Sequence, residues 1–98
     1  MSRESNAFDV LEQEILKAKA EALGRAGEKL RKAVDTYERV KASLPLDADE
    51  LQRAHCARAW EDVLRAREVL VVLREGIGLR RHDSIDTEFG IPLEQREQ

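Results

Sequence analysis

The helical pattern of the chain is clearest in residues 16–44, which read LKAKAEALGRAGEKLRKAVDTYERVKASL. Large side chains recur at every seventh position, at Leu16, Leu23, Leu30, Tyr37 and Leu44. Smaller residues three or four positions later widen this stripe, at Ala20, Ala26, Gly27, Ala33, Val34 and Val40. Such spacing is typical of a helix packed in a bundle. It predicts a first helix over residues 6–43, with Phe8, Leu11 and Ile15 extending its apolar face toward the start.

Two glycines, Gly24 and Gly27, lie in the middle of this predicted helix. Each costs about 1 kcal/mol relative to alanine inside a helix. We nevertheless predict one continuous helix, because the leucine repeat passes through both positions without a change of phase. Two interpretations of the glycines stay open: they let a second helix approach closely, or they mark a locally strained helix without further consequence.

A second helix is predicted over residues 47–76. Pro45 ends the first helix, and Asp47 can cap the next one. Apolar residues then follow at steps of three and four, at Cys56, Ala59, Val63, Ala66, Leu70, Leu73 and Ile77. The short connection favours an antiparallel hairpin, in which residue i of the first helix lies near residue 91 − i of the second. This register places Val69–Leu73 opposite the alanines of residues 18–22.

The segment Val69–Leu73 is apolar on every side of its helix, so we expect it to be buried on more than one side. Either the tail, residues 79–98, folds back over it, or a second copy docks to form a four-helix bundle. The tail carries a predicted short helix over residues 84–89, and four apolar residues suggest that it docks on the hairpin: Ile85, Phe89, Ile91 and Leu93. The predicted self-association core comprises Leu16, Leu23, Leu30, Trp60, Val69, Leu70 and Leu73.

Composition agrees with a single all-α domain over residues 1–98. Ala, Glu, Lys, Leu and Arg make up 54 of the 98 residues, which is typical of long helices. The net charge of -3 does not favour strong binding to nucleic acid. A polar start, a longest apolar run of only five residues and a single cysteine predict a cytoplasmic protein that does not cross a membrane.

Few residues could carry chemistry. His55 and Cys56 are adjacent on a helix and project about 100° apart, so they cannot act as a nucleophile and base pair. Arg80, Arg81, His82 and Asp83 form the one candidate interaction surface, whose simplest interpretation is a solvated or capping cluster. A metal site near His82 would need further ligands, for instance from a second copy. We predict no catalytic residue, no cofactor and no metal.

Three short segments carry a resemblance to a known family. They are Leu23-Gly24-Arg25-Ala26-Gly27, Gly78-Leu79-Arg80-Arg81-His82-Asp83 and Phe89-Gly90-Ile91-Pro92. Together they resemble a family of short bacterial helical proteins of unknown function with Leu-Gly-Arg-x-Gly, Gly-Leu-Arg-x-His and aromatic-Gly-Ile-Pro segments. The chain departs from that ending after Pro92, where residues 93–96 are more polar. The resemblance implies no activity, cofactor or catalytic residue.

The sequence favours a non-enzymatic interaction or scaffold protein that forms a homodimer and presents a surface to another protein. The alternatives are a small nucleic-acid-associated regulator that uses the arginines, and a metal-binding protein with a site near His82. Function must be argued from sites, and no catalytic constellation stands out.

Overall fold

The chain folds into three helices in a computed structural model that describes residues 3–92. Helix α1 spans Arg3–Ala42, α2 spans Glu50–Gly76 and α3 spans Asp83–Glu88. Residues 3–92 contain no strand. α1 and α2 pack against each other along a molecule 71 Å long, and the rings of Tyr37 and Trp60 meet with centroids 5.2 Å apart. The predicted all-α hairpin with a short C-terminal helix is confirmed.

Helix α1 runs through both glycines without a break, as predicted. Of the two interpretations of the glycines, the close approach of the second helix is not what the structure shows. A side chain at Gly24 would meet nothing within 4 Å, and one at Gly27 would meet the Phe89 ring of the tail at 3.5 Å. Gly27 therefore leaves room for an aromatic side chain, not for the backbone of α2.

Helix α2 begins three residues later than predicted, because residues 45–48 form a turn closed by the Ala48 N–H donating to the Pro45 carbonyl. Asp47 lies inside this turn and does not cap the helix. Asp49 does: its carboxylate accepts from the Gln52 N–H at 2.7 Å, and the Gln52 side chain accepts from the Asp49 N–H at 2.9 Å. This reciprocal pair satisfies two backbone donors at the start of the helix.

The chain reverses direction after α2 and again after α3 at left-handed glycines, Gly78 with φ +92° and Gly90 with φ +65°. At both, the following N–H bonds back to a carbonyl of the last helical turn, from Leu79 to Arg74 and from Ile91 to Asp86. Glycine adopts this conformation at little cost, so it ends both helices sharply. The second reversal brings Ile91 back to the hairpin.

The core lies in the part of the hairpin that the tail covers. Its buried members are Ala26, Leu30, Val34, Tyr37, Ala59, Val63, Leu70, Ile85 and Ile91. Ile85 and Ile91 belong to the tail, and both are at most 4% exposed. The predicted docking of the tail is therefore confirmed for these residues, while its Leu93 lies outside the described part of the chain. None of the helices within residues 3–92 is long and apolar enough to cross a membrane.

Candidate interaction surface

The two long helices differ in length, so part of α1 has no neighbour from α2. α1 has 40 residues and α2 has 27. Ile15 lines a groove together with Gly76 and Ile77, so α2 ends opposite this part of α1. The preceding residues, 3–14, extend past the end of α2 by about 18 Å.

Large apolar side chains on this end of α1 are exposed. Phe8 is 66% exposed, Leu11 58% and Ile15 48%. Every residue from 6 to 21 is exposed, whereas burial begins where α2 and the tail pack against α1. Within residues 3–92 these apolar side chains keep core spacing without being covered, and exposed rows of this kind are typical of interaction surfaces.

Two grooves join these side chains to the end of α2. The larger, of about 500 Å³, lies between the helices and is lined by Ile15, Ala18, Lys19, Ala22, Val72, Leu73, Gly76 and Ile77. The smaller, of about 240 Å³, is lined by Phe8, Leu11, Glu12, Ile15, Leu16 and Lys19. Because the grooves share Ile15 and Lys19, they form one surface. We call it the apolar face and define it as Phe8, Leu11, Ile15, Leu16, Ala18, Ala22, Val72, Leu73 and Ile77.

The seven residues of the predicted self-association core differ in how far they are buried in the structure. Leu30 and Leu70 are buried inside this chain, so they are not available to a second copy. Leu23, Trp60 and Leu73 are partly buried against the same core. Leu16 and Val69 are exposed. Two of the seven residues thus lie open to a partner, and of these two Leu16 belongs to the apolar face.

The predicted self-association core did not include five other large apolar residues that the structure leaves exposed, namely Phe8, Leu11, Ile15, Val72 and Ile77. The lengths of the predicted helices could have indicated them. A first helix over residues 6–43 is longer than a second over 47–76, so an antiparallel hairpin must leave the start of the first helix unpaired. The second helix then cannot cover the apolar residues at that start.

The predicted cluster Arg80, Arg81, His82 and Asp83 lies at the junction of α2 and α3. These residues line a groove of about 540 Å³ together with Arg67, Asp86 and Thr87. The Arg67 Nε donates to Asp86 Oδ1 at 2.9 Å, and Asp86 is 7% exposed. This ion pair ties α3 to α2.

A second set of bonds ties the loop before α3 to α2. The Arg74 guanidinium donates to His82 Nδ1 at 3.3 Å and to the Arg81 carbonyl at 2.9 Å. Because Nδ1 accepts, the proton of the neutral ring is on Nε2, a buried atom with no hydrogen-bond partner among the described residues. Arg67 and Arg74 thus hold the tail in place through Asp86, His82 and the Arg81 carbonyl.

The other reactive side chains of the hairpin include a thiol, an imidazole and a phenol. Cys56 is a partly buried free thiol packed against the core, and His55 beside it is exposed. Burial raises the pKa of Tyr37 above its ordinary 10.0, although the Lys41 ammonium acts in the opposite direction. No three His, Cys, Asp or Glu side chains come together to hold a metal ion in the part of the chain that the structure describes.

Comparisons of the chain with models of known protein families, with curated proteins and with solved structures found no match. The resemblance to a bacterial family of unknown function therefore stays a prediction. The apolar face is the surface whose geometry most directly indicates a function.

Proposed function

We propose that this protein is a non-enzymatic helical interaction protein that self-associates through the apolar face. The observation that carries the proposal is the row Phe8, Leu11 and Ile15, exposed on a helix that extends beyond its partner helix. These residues have the spacing of a packed helix, but no other described part of the chain packs against them.

The size of the exposed apolar surface supports the proposal. Six large side chains of the apolar face are between 41% and 66% exposed: Phe8, Leu11, Ile15, Leu16, Val72 and Ile77. Together they present on the order of 500 Å² of apolar surface, near the upper end for a monomeric protein. Adding the alanines and the alkyl stems of flanking side chains brings this close to the roughly 800 Å² per partner of a standard interface.

The mass of the protein in solution tests the proposal. Light scattering should give twice the chain mass of 11.2 kDa at micromolar concentration. Leu11→Glu places a charge on the part of the apolar face that extends beyond α2, so it should weaken association by at least about 2 kcal/mol and yield the monomer. A monomeric full-length protein at high micromolar concentration would overturn the proposal.

A matched control shows whether the effect is local. Leu46 lies in the connection between α1 and α2 and is fully exposed. Leu46→Glu makes the same chemical change at the opposite end of the hairpin and should leave the dimer intact. If Leu46→Glu dissociates the protein as readily as Leu11→Glu, the apolar face is not the interface. Circular dichroism should show the same helix content in all three proteins.

A further inference from the structure

We propose that the two copies bind with their α1 helices antiparallel, about a two-fold axis near residues 16 and 17. This inference rests on the proposed self-association and adds the orientation and register of the partner. Residues 6–16 of each copy then lie against residues 17–27 of the other, over about 33 Å. The start of α1 from one copy fills the groove between α1 and α2 of its partner.

The spacing of apolar residues along α1 supplies a seam for this pairing. Phe8, Leu11, Ile15, Ala18 and Ala22 follow one another at alternating steps of three and four. Such steps keep side chains on one face of a helix and are typical of two helices that pack along their length. Residues 23–40 instead turn their apolar side chains toward α2 and the tail, so the free seam ends where the hairpin core begins.

The sizes of the side chains favour the antiparallel orientation. The seam is bulky in its first half and small in its second, where Ala18 and Ala22 leave the groove of about 500 Å³ open. An antiparallel pair places Leu11 against the partner's Ala22 and Ile15 against the partner's Ala18. A parallel pair would set the empty groove of one copy against the empty groove of the other. Close-packed interfaces avoid such voids, because each unfilled contact is lost dispersion energy.

The charges favour the same orientation. Residues 6–16 carry Asp9, Glu12 and Glu14 and no basic residue, whereas residues 17–27 carry Lys17, Lys19, Glu21 and Arg25. The net charges are -3 and +2. An antiparallel pair brings the acidic segment of each copy onto the basic segment of the other. A parallel pair would place the acidic residues 6–16 of one copy against the same acidic residues of the other, and electrostatic complementarity disfavours this arrangement.

Two-fold symmetry also closes the assembly. Each copy has one protruding segment and one groove, so both grooves are filled in a dimer and no copy is left open for a third. Such self-complementary contacts end at two subunits, whereas a head-to-tail contact that did not close would build a filament. The groove is therefore complete only when the partner's α1 occupies it.

Energy transfer between labelled copies tests the orientation. The single native cysteine is first removed by Cys56→Ser. In one variant Gln13→Cys then carries a dye near the proposed axis, on the exposed side of α1. In a second variant Leu46→Cys carries the dye at the connection between α1 and α2. Mixed donor- and acceptor-labelled copies should transfer energy efficiently at position 13. At position 46 they should not, because the two connections lie about 90 Å apart.

Two other results of the energy-transfer experiment would contradict the inference. Efficient transfer at both positions would show a parallel dimer, which overturns this inference and leaves the proposed self-association standing. Absence of transfer at position 13 would overturn this inference, and together with a monomer mass from light scattering it would overturn the proposed function as well.

A charge exchange tests the register. The proposed register brings Glu12 beside the partner's Lys19, twice per dimer. Glu12→Lys and Lys19→Glu should each raise the dissociation constant by roughly two- to tenfold, and the double variant should recover most of the loss. Both residues are exposed on α1, so the variants should keep their helix content. If the double variant dissociates more than either single one, this register is wrong.

Discussion

Tyr37 shows how one buried side chain links stability to pH. Its side chain is 2% exposed, and burial raises the pKa of the phenol above 10.0. Below pH 10 the phenol is neutral in both the folded and the unfolded chain. As the pH rises past 10, the unfolded chain ionises first, so the stability that the neutral phenol contributes is lost.

We expect the free energy of unfolding to fall more steeply above pH 10 in the wild-type protein than in Tyr37→Phe. Denaturation followed by the fluorescence of the single tryptophan, Trp60, measures this at a series of pH values. The Tyr37→Phe variant keeps every other ionisable group of the chain and therefore serves as the reference. Equal slopes in the two proteins would show that Tyr37 is hydrated in the folded state.

The two mid-helix glycines offer a matched pair of substitutions. Gly24→Leu should leave stability unchanged or raise it by up to about 1 kcal/mol, because leucine is the better helix former and the position is open. Gly27→Leu should lower stability by about 1–3 kcal/mol, because the side chain would displace the Phe89 ring. Thermal denaturation of both variants checks this. A loss at Gly24 would reveal a neighbour there.

One buried carboxylate, Asp86, contributes to the attachment of α3 to α2. Asp86→Ala leaves the guanidinium of Arg67, 19% exposed, without this partner. We expect a loss of about 2–4 kcal/mol, less than for a fully buried pair because water still reaches Arg67. Hydrogen exchange should show the amides of α3 losing protection before those of α2. Asp83→Ala, at an exposed position of the same helix, is the control and should change little.

The sequence predicted the elements better than the contacts between them. The heptad and Pro45 indicated both long helices, because periodicity and backbone restriction act locally. The cap of α2 was misplaced by two residues, because Asp47 and Asp49 both suit a helix start and a turn over residues 45–48 selects between them. The contact of Gly27 with Phe89 was not predictable, since it depends on how Gly78 and Gly90 direct the tail.

The sequence pattern alone also could not show which apolar residues are free to bind a partner. Leu30 and Leu70 have the pattern expected of residues that bind a second copy, yet the tail and the hairpin use them internally. A heptad does not distinguish a partner in the same chain from a partner in another. The length of α1 relative to α2 makes that distinction for Phe8 and Leu11, which no described part of this chain reaches.

At the scale of the whole molecule, the proposed dimer has a length that separates it from a parallel pair. One copy is 71 Å long. In an antiparallel pair centred on residues 16 and 17, each connection between α1 and α2 lies about 45 Å from the axis, so the dimer should extend about 90–95 Å. A parallel pair would keep the length of one copy and double only its cross-section. Small-angle X-ray scattering measures both quantities. A dimer mass with a maximum dimension near 71 Å would contradict the antiparallel arrangement, and Leu11→Glu should return both mass and length to those of one copy.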